Sequence, residues 1–318
     1  MINAPIAALF PGQGSQYPGM TKSLRENFPF IKDIFEEGSE AVKENLLKLC
    51  EDGPSDTLQL THNAQPCILL TSYCWFQVLK RNLDFAPQAG AGHSLGEYSA
   101  LLSSGALTVT EAVRLVRKRG ELMQQAVPAG KGKMAAVLGL DDSKIQAVCQ
   151  AATEGESVVV PANFNAPGQT VIAGSAEAVD RFIQLASGQT NPEWKARKVI
   201  PLNVSAPFHC PLMKETALKF VPFLEAVQWK EPAFPVVSNL DASLRSHGSF
   251  VPVLRDQIDH PVLWTGCGET LSRHGIKHFI EMGPGRVLVG LMKRIVDGAT
   301  LFSLDSLEDF QAFEKEFK

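Results

Sequence analysis

Hydrophobic positions along this chain follow two alternating rhythms. Short apolar runs such as "IAALF" (6–10) have the length of buried strands. Between them lie stretches whose apolar residues recur every three to four positions. That spacing predicts helices over 31–50, "IKDIFEEGSEAVKENLLKLC", and near 67–81, "CILLTSYCWFQVLKR". Close to the end, "IKHFIEM" reads as a strand, "GPG" as a turn and "RVLVGLMKRI" as a helix. Strand and helix in alternation predict an α/β fold with a largely parallel sheet.

The order changes between 131 and 204. Strand "MAAVLGL", helix "DDSKIQAVCQAA", strands "SVVVPANF" and "QTVIAG", helix "SAEAVDRFIQLA" and strand "ARKVIPLNV" follow one another. This is the βαββαβ order of a ferredoxin-like unit. A discontinuous large domain, 1–130 plus 205–318, is therefore expected to carry a small domain, 131–204, as an insertion. "PAGKGK" (128–133) is its hinge-like lead-in, and a cleft between the two is the default place for a site.

Composition narrows the field. The chain has 318 residues and a formal charge of −4, with 34 acids against 30 bases. It lacks the basic excess of a protein that binds nucleic acid by neutralising phosphates. Six cysteines are scattered with no C-x-x-C pair, which points to reduced thiols in a cytoplasm and to no metal site. No run approaches the roughly 20 apolar residues of a bilayer span, and the N-terminus has no cationic leader. A cytoplasmic protein outside the membrane is expected.

Candidate chemistry starts at Gly92-His93-Ser94-Leu95-Gly96, a G-x-S-x-G pattern. In a nucleophile elbow, a tight strand-to-helix turn lifts the serine hydroxyl above a sheet, and the helix N-terminus offers N–H groups to an oxyanion. A plain helix cap at Ser94 fits the same five residues, and "PQAGAG" before it has poor strand propensity. The pentapeptide alone leaves both readings open.

A base must decide between them. Of seven histidines, His93 adjoins the serine and is expected to support the turn. His209 lies between Pro207 and Pro211, whose rigid loop suits a ring held in one orientation. A hydrolase would instead use the chain order Ser, acid, His, for which Asp259 with His260, or Asp256 with His274, are available. "FPGQGSQYPG" lacks the ending of a P-loop, and Tyr17 stands where a dinucleotide fingerprint needs glycine. Its better use is a backbone N–H near Gln13 facing the serine turn. "GPGRVLVG" fails the dinucleotide test as well and reads as a turn opening a packed helix.

The segment "TVTEAVRLVRKRGELMQQAV" reads as a helix opened by a capping box, Thr108 with Glu111. Arg119 falls inside its apolar stripe, whereas Arg114 and Arg117 fall on the far face. A guanidinium on a buried face needs an anion. An internal carboxylate and a carboxylate brought by the substrate both satisfy that need; the second predicts an acyl group ending in a free acid.

"FPGQGSQ", "GHSLGEYSAL", "AVRLVRKRGELMQ", "NFNAPGQTVIAG", "APFHCPLM" and "GPGRVLVGLMKRI" stand in one order from about residue 7 to residue 296. Together they resemble the malonyl-CoA:acyl carrier protein transacylases of fatty acid synthesis, relatives of the acyltransferase domains of polyketide synthases. The resemblance implies an α/β-hydrolase-like large domain with a ferredoxin-like small one, and malonyl transfer from malonyl-CoA to the phosphopantetheine thiol of acyl carrier protein. Malonyl-CoA is then a substrate, and no cofactor is implied. By matching motif positions, Ser94 becomes the acylated nucleophile and His209 its base, oriented by the main-chain carbonyl of Gln257. Gln13 and Leu95 supply the oxyanion N–H groups, Arg119 holds the malonyl carboxylate, and Asn163 lines the cleft. Phe208 resembles the residue of malonyl-selective domains. A trans-acting polyketide acyltransferase and a serine hydrolase or thioesterase are the alternatives. Lys195, Arg197 and Lys198, or Lys293 and Arg294, are open candidates for a basic rim facing the carrier.

Overall fold

The structure, a computed structural model, describes residues 4–128, 130–204 and 206–318. Ten strands are described: β1 (Ile6–Phe10), β2 (Ala89–Gly92), β3 (Gly132–Leu138), β4 (Val159–Ala166), β5 (Gln169–Ser175), β6 (Lys198–Pro201), β7 (Val236–Val237), β8 (Leu244–Arg245), β9 (His278–Met282) and β10 (Thr300–Leu304). They form two sheets, ordered β10-β9-β1-β2-β7-β8 and β4-β5-β3-β6.

The first sheet is parallel except at β8, which returns antiparallel on β7. Its central strand shows why "IAALF" has no polar alternation. Ile6, Ala8 and Phe10 face the larger apolar cluster while Ala7 and Leu9 face a second one, so both faces are covered. The second sheet is antiparallel throughout. Helices Asp142–Ala152 and Ala176–Leu185 bury Ile145, Val148, Val179 and Phe182 against one of its faces. From the other face, Met134, Ala162, Val171 and Ala173 join the main cluster. Phe164 N–H donates to the Val262 carbonyl at 2.9 Å and Val262 N–H to the Ala162 carbonyl at 2.9 Å, which fastens β4 to the larger part. Ala129, inside the expected hinge-like segment, and Ser205, at the expected boundary, lie outside the described residues.

Two local expectations change. The pattern over 31–50 forms two helices, Ile31–Val42 and Leu46–Asp52, rather than one. Lys43 adopts a left-handed φ of 56°, and the Asn45 side chain caps the second helix by accepting from Lys48 N–H. Asparagine gains that cap by leaving the helix, and the chain turns there. "AGAG" is a strand despite its propensity, because close approach requires its glycines. A Cβ on Gly92 would lie 1.9 Å from the Gly96 carbonyl, and one on Gly96 2.0 Å from the Phe10 carbonyl.

The six cysteines are free and buried. Among the described residues, no helix is long and apolar enough to cross a membrane.

Candidate active site

β2 ends at Gly92, and the helix Leu95–Ser103 begins two residues beyond His93, leaving Ser94 in the turn at φ 53°, ψ −103°. A positive φ on a non-glycine residue is strained and persists only where the surroundings impose it. The Ser94 hydroxyl donates to His209 Nε2 at 2.7 Å. On the other side of the ring, His209 Nδ1 donates to the Gln257 carbonyl at 2.7 Å. A carbonyl only accepts, so the proton sits on Nδ1 and Nε2 offers its lone pair to the serine. His209 also has a positive φ, 58°, and is buried in the loop between Pro207 and the short turn Pro211–Met213.

The helix Val109–Gln125 carries Arg119, and its capping box is present at Thr108 and Glu111. The arginine is 1% exposed. Its Nη2 donates to Ser94 Oγ at 3.0 Å and to Gln257 Oε1 at 2.9 Å, and its Nη1 to Gln65 Oε1 at 3.1 Å. The Tyr98 ring lies 5.2 Å from the guanidinium carbon. Among the described residues, every hydrogen-bond acceptor of this buried cation is neutral. Arg117 departs from its expected solvated position: it is half-buried, paired with Glu44 and Glu121, and hydrogen-bonded to Asn63.

Gln13 follows β1 in a loop pressed against the serine turn; a Cβ on Gly12 would lie 2.5 Å from the His93 carbonyl. Among the described residues, neither the Gln13 nor the Leu95 backbone N–H donates to a protein acceptor. Both residues line a cleft of about 450 Å³ together with Ser94, Arg119, His209, Asn163 and Phe208. Asn163 comes from β4, where the strand bulges beside Pro161. Met134, Leu202 and Val204 complete that wall.

The competing histidines are elsewhere. His260 pairs with Asp259 at 2.8 Å, Asp256 is held by Arg255, and His274 Nδ1 donates to the Thr270 carbonyl. His93 turns away from Ser94; its Nε2 donates to Asn165 Oδ1 at 2.8 Å, and its ring packs on Trp264. Arg294, one rim candidate, reaches Gln169 and the Pro167 carbonyl.

Electrostatics follow burial. Desolvation, then the Arg119 charge, draws His209 down to about 3. Glu97 is pushed up to about 7 by burial, partly offset by hydrogen bonds from Asn239 N–H and the Gln257 side chain. Burial lowers Arg119.

Glu97, Asn239, Gln65 and the Gln257 side chain escaped the sequence reading. An acid in the first turn of a wholly buried helix was a usable signal for Glu97. Asn239, 145 residues from Ser94, has no local signal at all.

The acyl transferase domain family matches residues 8–260. The malonyl CoA-acyl carrier protein transacylase of Escherichia coli K12 is 43% identical over 301 residues, 94% of this chain and 96% of that one. An acyl carrier protein S-malonyltransferase from Vibrio cholerae superposes with a TM-score of 0.93 at 41% identity, covering 98% of this chain and 100% of the other. A malonyl-transacylase solved in complex with a type II PKS acyl-carrier protein superposes with a TM-score of 0.93 at 39% identity, over 98% and 100% of the two chains. With the family matched over most of its length and its fold shared nearly end to end, this chain belongs to the acyl transferase family, alongside the malonyl CoA-acyl carrier protein transacylases.

Proposed function

We propose that this protein transfers a malonyl group from malonyl-CoA to the phosphopantetheine thiol of acyl carrier protein through a malonyl ester on Ser94, and thereby supplies fatty acid synthesis. One observation carries the reading: a buried guanidinium with only neutral acceptors, hydrogen-bonded to the nucleophile's own hydroxyl. Glu97 lies within electrostatic reach of the guanidinium but accepts no hydrogen bond from it, and a substrate carboxylate held by the planar fork of Arg119 provides that direct partner.

In the first half-reaction His209 Nε2 takes the Ser94 proton while Oγ attacks the thioester carbonyl. The amides of Gln13 and Leu95 stabilise the tetrahedral oxyanion, each donor contributing roughly 10²–10³ in rate. The C–S bond then breaks, and coenzyme A leaves with the proton from His209. In the second half-reaction the carrier's thiol gives its proton to His209 and its sulfur attacks the ester carbonyl. Ser94 departs and recovers the proton. The Gln257 carbonyl keeps the ring in one tautomer throughout, and Asn163 and Phe208 shape the cleft around the acyl group. Both steps are redox-neutral, with every proton passing through one histidine, so the scheme requires no cofactor.

The low pKa of His209 keeps the ring neutral as pH falls well below 6.5. A carboxylate on Arg119 cancels the second-largest cause of that depression, so the base strengthens when the correct substrate arrives.

We further place the protein in the cytoplasm, with 131–204 as a small domain inserted between 1–130 and 205–318. A polyketide carrier is the second reading, favoured by the likeness to the transacylase solved with a type II PKS acyl-carrier protein.

Intact-protein mass tests the function, measured after brief mixing with malonyl-CoA and again after adding each type of carrier, with Ser94→Ala as control. A malonyl increment that moves to a carrier is expected, and the preferred carrier chooses between the two readings. An increment lost equally fast without carrier would mean a hydrolase.

A further inference from the structure

The strained turn at Ser94 does not hold itself. Ser94 N–H donates to Asn239 Oδ1 at 2.6 Å, and Asn239 Nδ2 donates to the Gly92 carbonyl at 2.8 Å, so one side chain grips the backbone on both sides of His93. Strand register brings it there. β7 runs parallel to β2 with Ala91 opposite Val237, which carries Asn239, two residues further on, to the level of the turn. Asn239 is fully buried, and its own backbone is pinned: its N–H donates to Glu97 Oε2 at 3.1 Å, and its carbonyl accepts from Leu263 N–H at 2.9 Å.

We infer that Asn239 is a positioning residue for acyl transfer, holding the Ser94 turn in its reactive conformation. This rests on Ser94 being the acylated residue. Three consequences tie the clamp to chemistry. Ser94 N–H is consumed by Asn239, which leaves the oxyanion to the Gln13 and Leu95 amides. The Ser94 carbonyl accepts from Gln257 Nε2 at 3.1 Å and from Glu97 N–H at 3.1 Å. Because the peptide is planar and trans, Leu95 N–H then points the opposite way. Ser94 Oγ makes its bonds to His209 and Arg119 from this same turn, so a shift of the backbone disturbs both together.

The test compares Asn239→Leu and Asn239→Asp with the wild type in single-turnover acylation by malonyl-CoA. Rates are expressed per site that finally acquires the malonyl mass, so misfolded molecules do not count. Asn239→Leu should acylate about 10²-fold more slowly, as a misplacement near 1 Å costs, with half-saturation changed less than about threefold, as expected when binding is untouched. Asn239→Asp sharpens the test. An ionised carboxylate accepts from Ser94 N–H but cannot donate to the Gly92 carbonyl; once protonated it does both. Its rate relative to wild type should therefore rise as pH falls, a response that a merely structural residue does not give. Asn239→Leu sites that acylate at the wild-type rate, or an Asn239→Asp ratio that is flat with pH, would overturn the inference; if Asn239→Leu does not fold, the pH dependence of Asn239→Asp decides alone. Acylation of the wild type in the same series separates failure of the clamp from failure of the acyl-serine reading.

Discussion

The two sides of the cleft are built differently. Its floor is built from turns, loops and a helix packed around the parallel sheet, where Ser94, His209, Arg119, Gln257 and Asn239 are linked in one hydrogen-bonded set, and two of the five hold a positive φ. The opposite wall comes from the antiparallel sheet and the segment that follows β6. There Met134, Leu202 and Val204 present apolar surface, the last two each 37% exposed. Chemistry tolerates little displacement and is placed where strain can be enforced by packing, whereas a wall that encloses an acyl chain needs only shape. Under the proposed function, the division predicts that the floor sets rate and the wall sets affinity.

Breaking the floor should have the largest effect. His209→Ala is expected to lower malonyl transfer by about 10⁴-fold, at the upper end for losing a general acid–base group, while Asp259→Asn stays near wild type because that acid pairs with His260. The reverse pattern would restore a hydrolase triad. In the wild type, kcat/KM should show no acid limb centred at 6.5, because the histidine is already neutral there. Following it in Glu97→Gln removes from the profile the buried carboxyl beside the site that desolvation pushes up to about 7.

Arg119 tests whether the floor also selects. Arg119→Ala should reduce malonyl transfer by about 10³-fold and acetyl transfer by less than about tenfold, since a site built for a polar group discriminates strongly when that partner is lost. Equal falls for the two acyl groups, read from parallel steady-state assays, would make Arg119 a structural support of the serine turn instead of a carboxylate clamp.

The wall should give the smallest effect. Leu202→Ala removes part of a half-exposed apolar contact, about 1 kcal/mol, hence an increase of about fivefold in the half-saturating malonyl-CoA concentration. The maximal rate should stay within about twofold. A hundredfold loss of maximal rate would erase the difference between floor and wall.

Much of this was legible in the chain because the signals are local. Gly92 and Gly96 mark a turn that no Cβ can enter, and the pattern at 131–204 spells out its elements in order. Arg119 stood out as a charge inside an apolar stripe, and the structure adds that its partners are amides and a hydroxyl rather than an acid. Arg117 misled for a related reason: periodicity gives the side of a helix, not what another helix lays over that side.

Periodicity and glycine placement, which depend on neighbours a few residues apart, determined by themselves the strand and helix order, the serine turn and the helix that carries Arg119. The two-sided grip of Asn239 on that turn, the amide partners of Arg119 and the suppressed basicity of His209 were decided only by the tertiary structure. Each depends on atoms far apart in the chain, 145 residues between Ser94 and Asn239 and 138 between Arg119 and Gln257. Strand register and burial bring such groups together, and no local pattern encodes either.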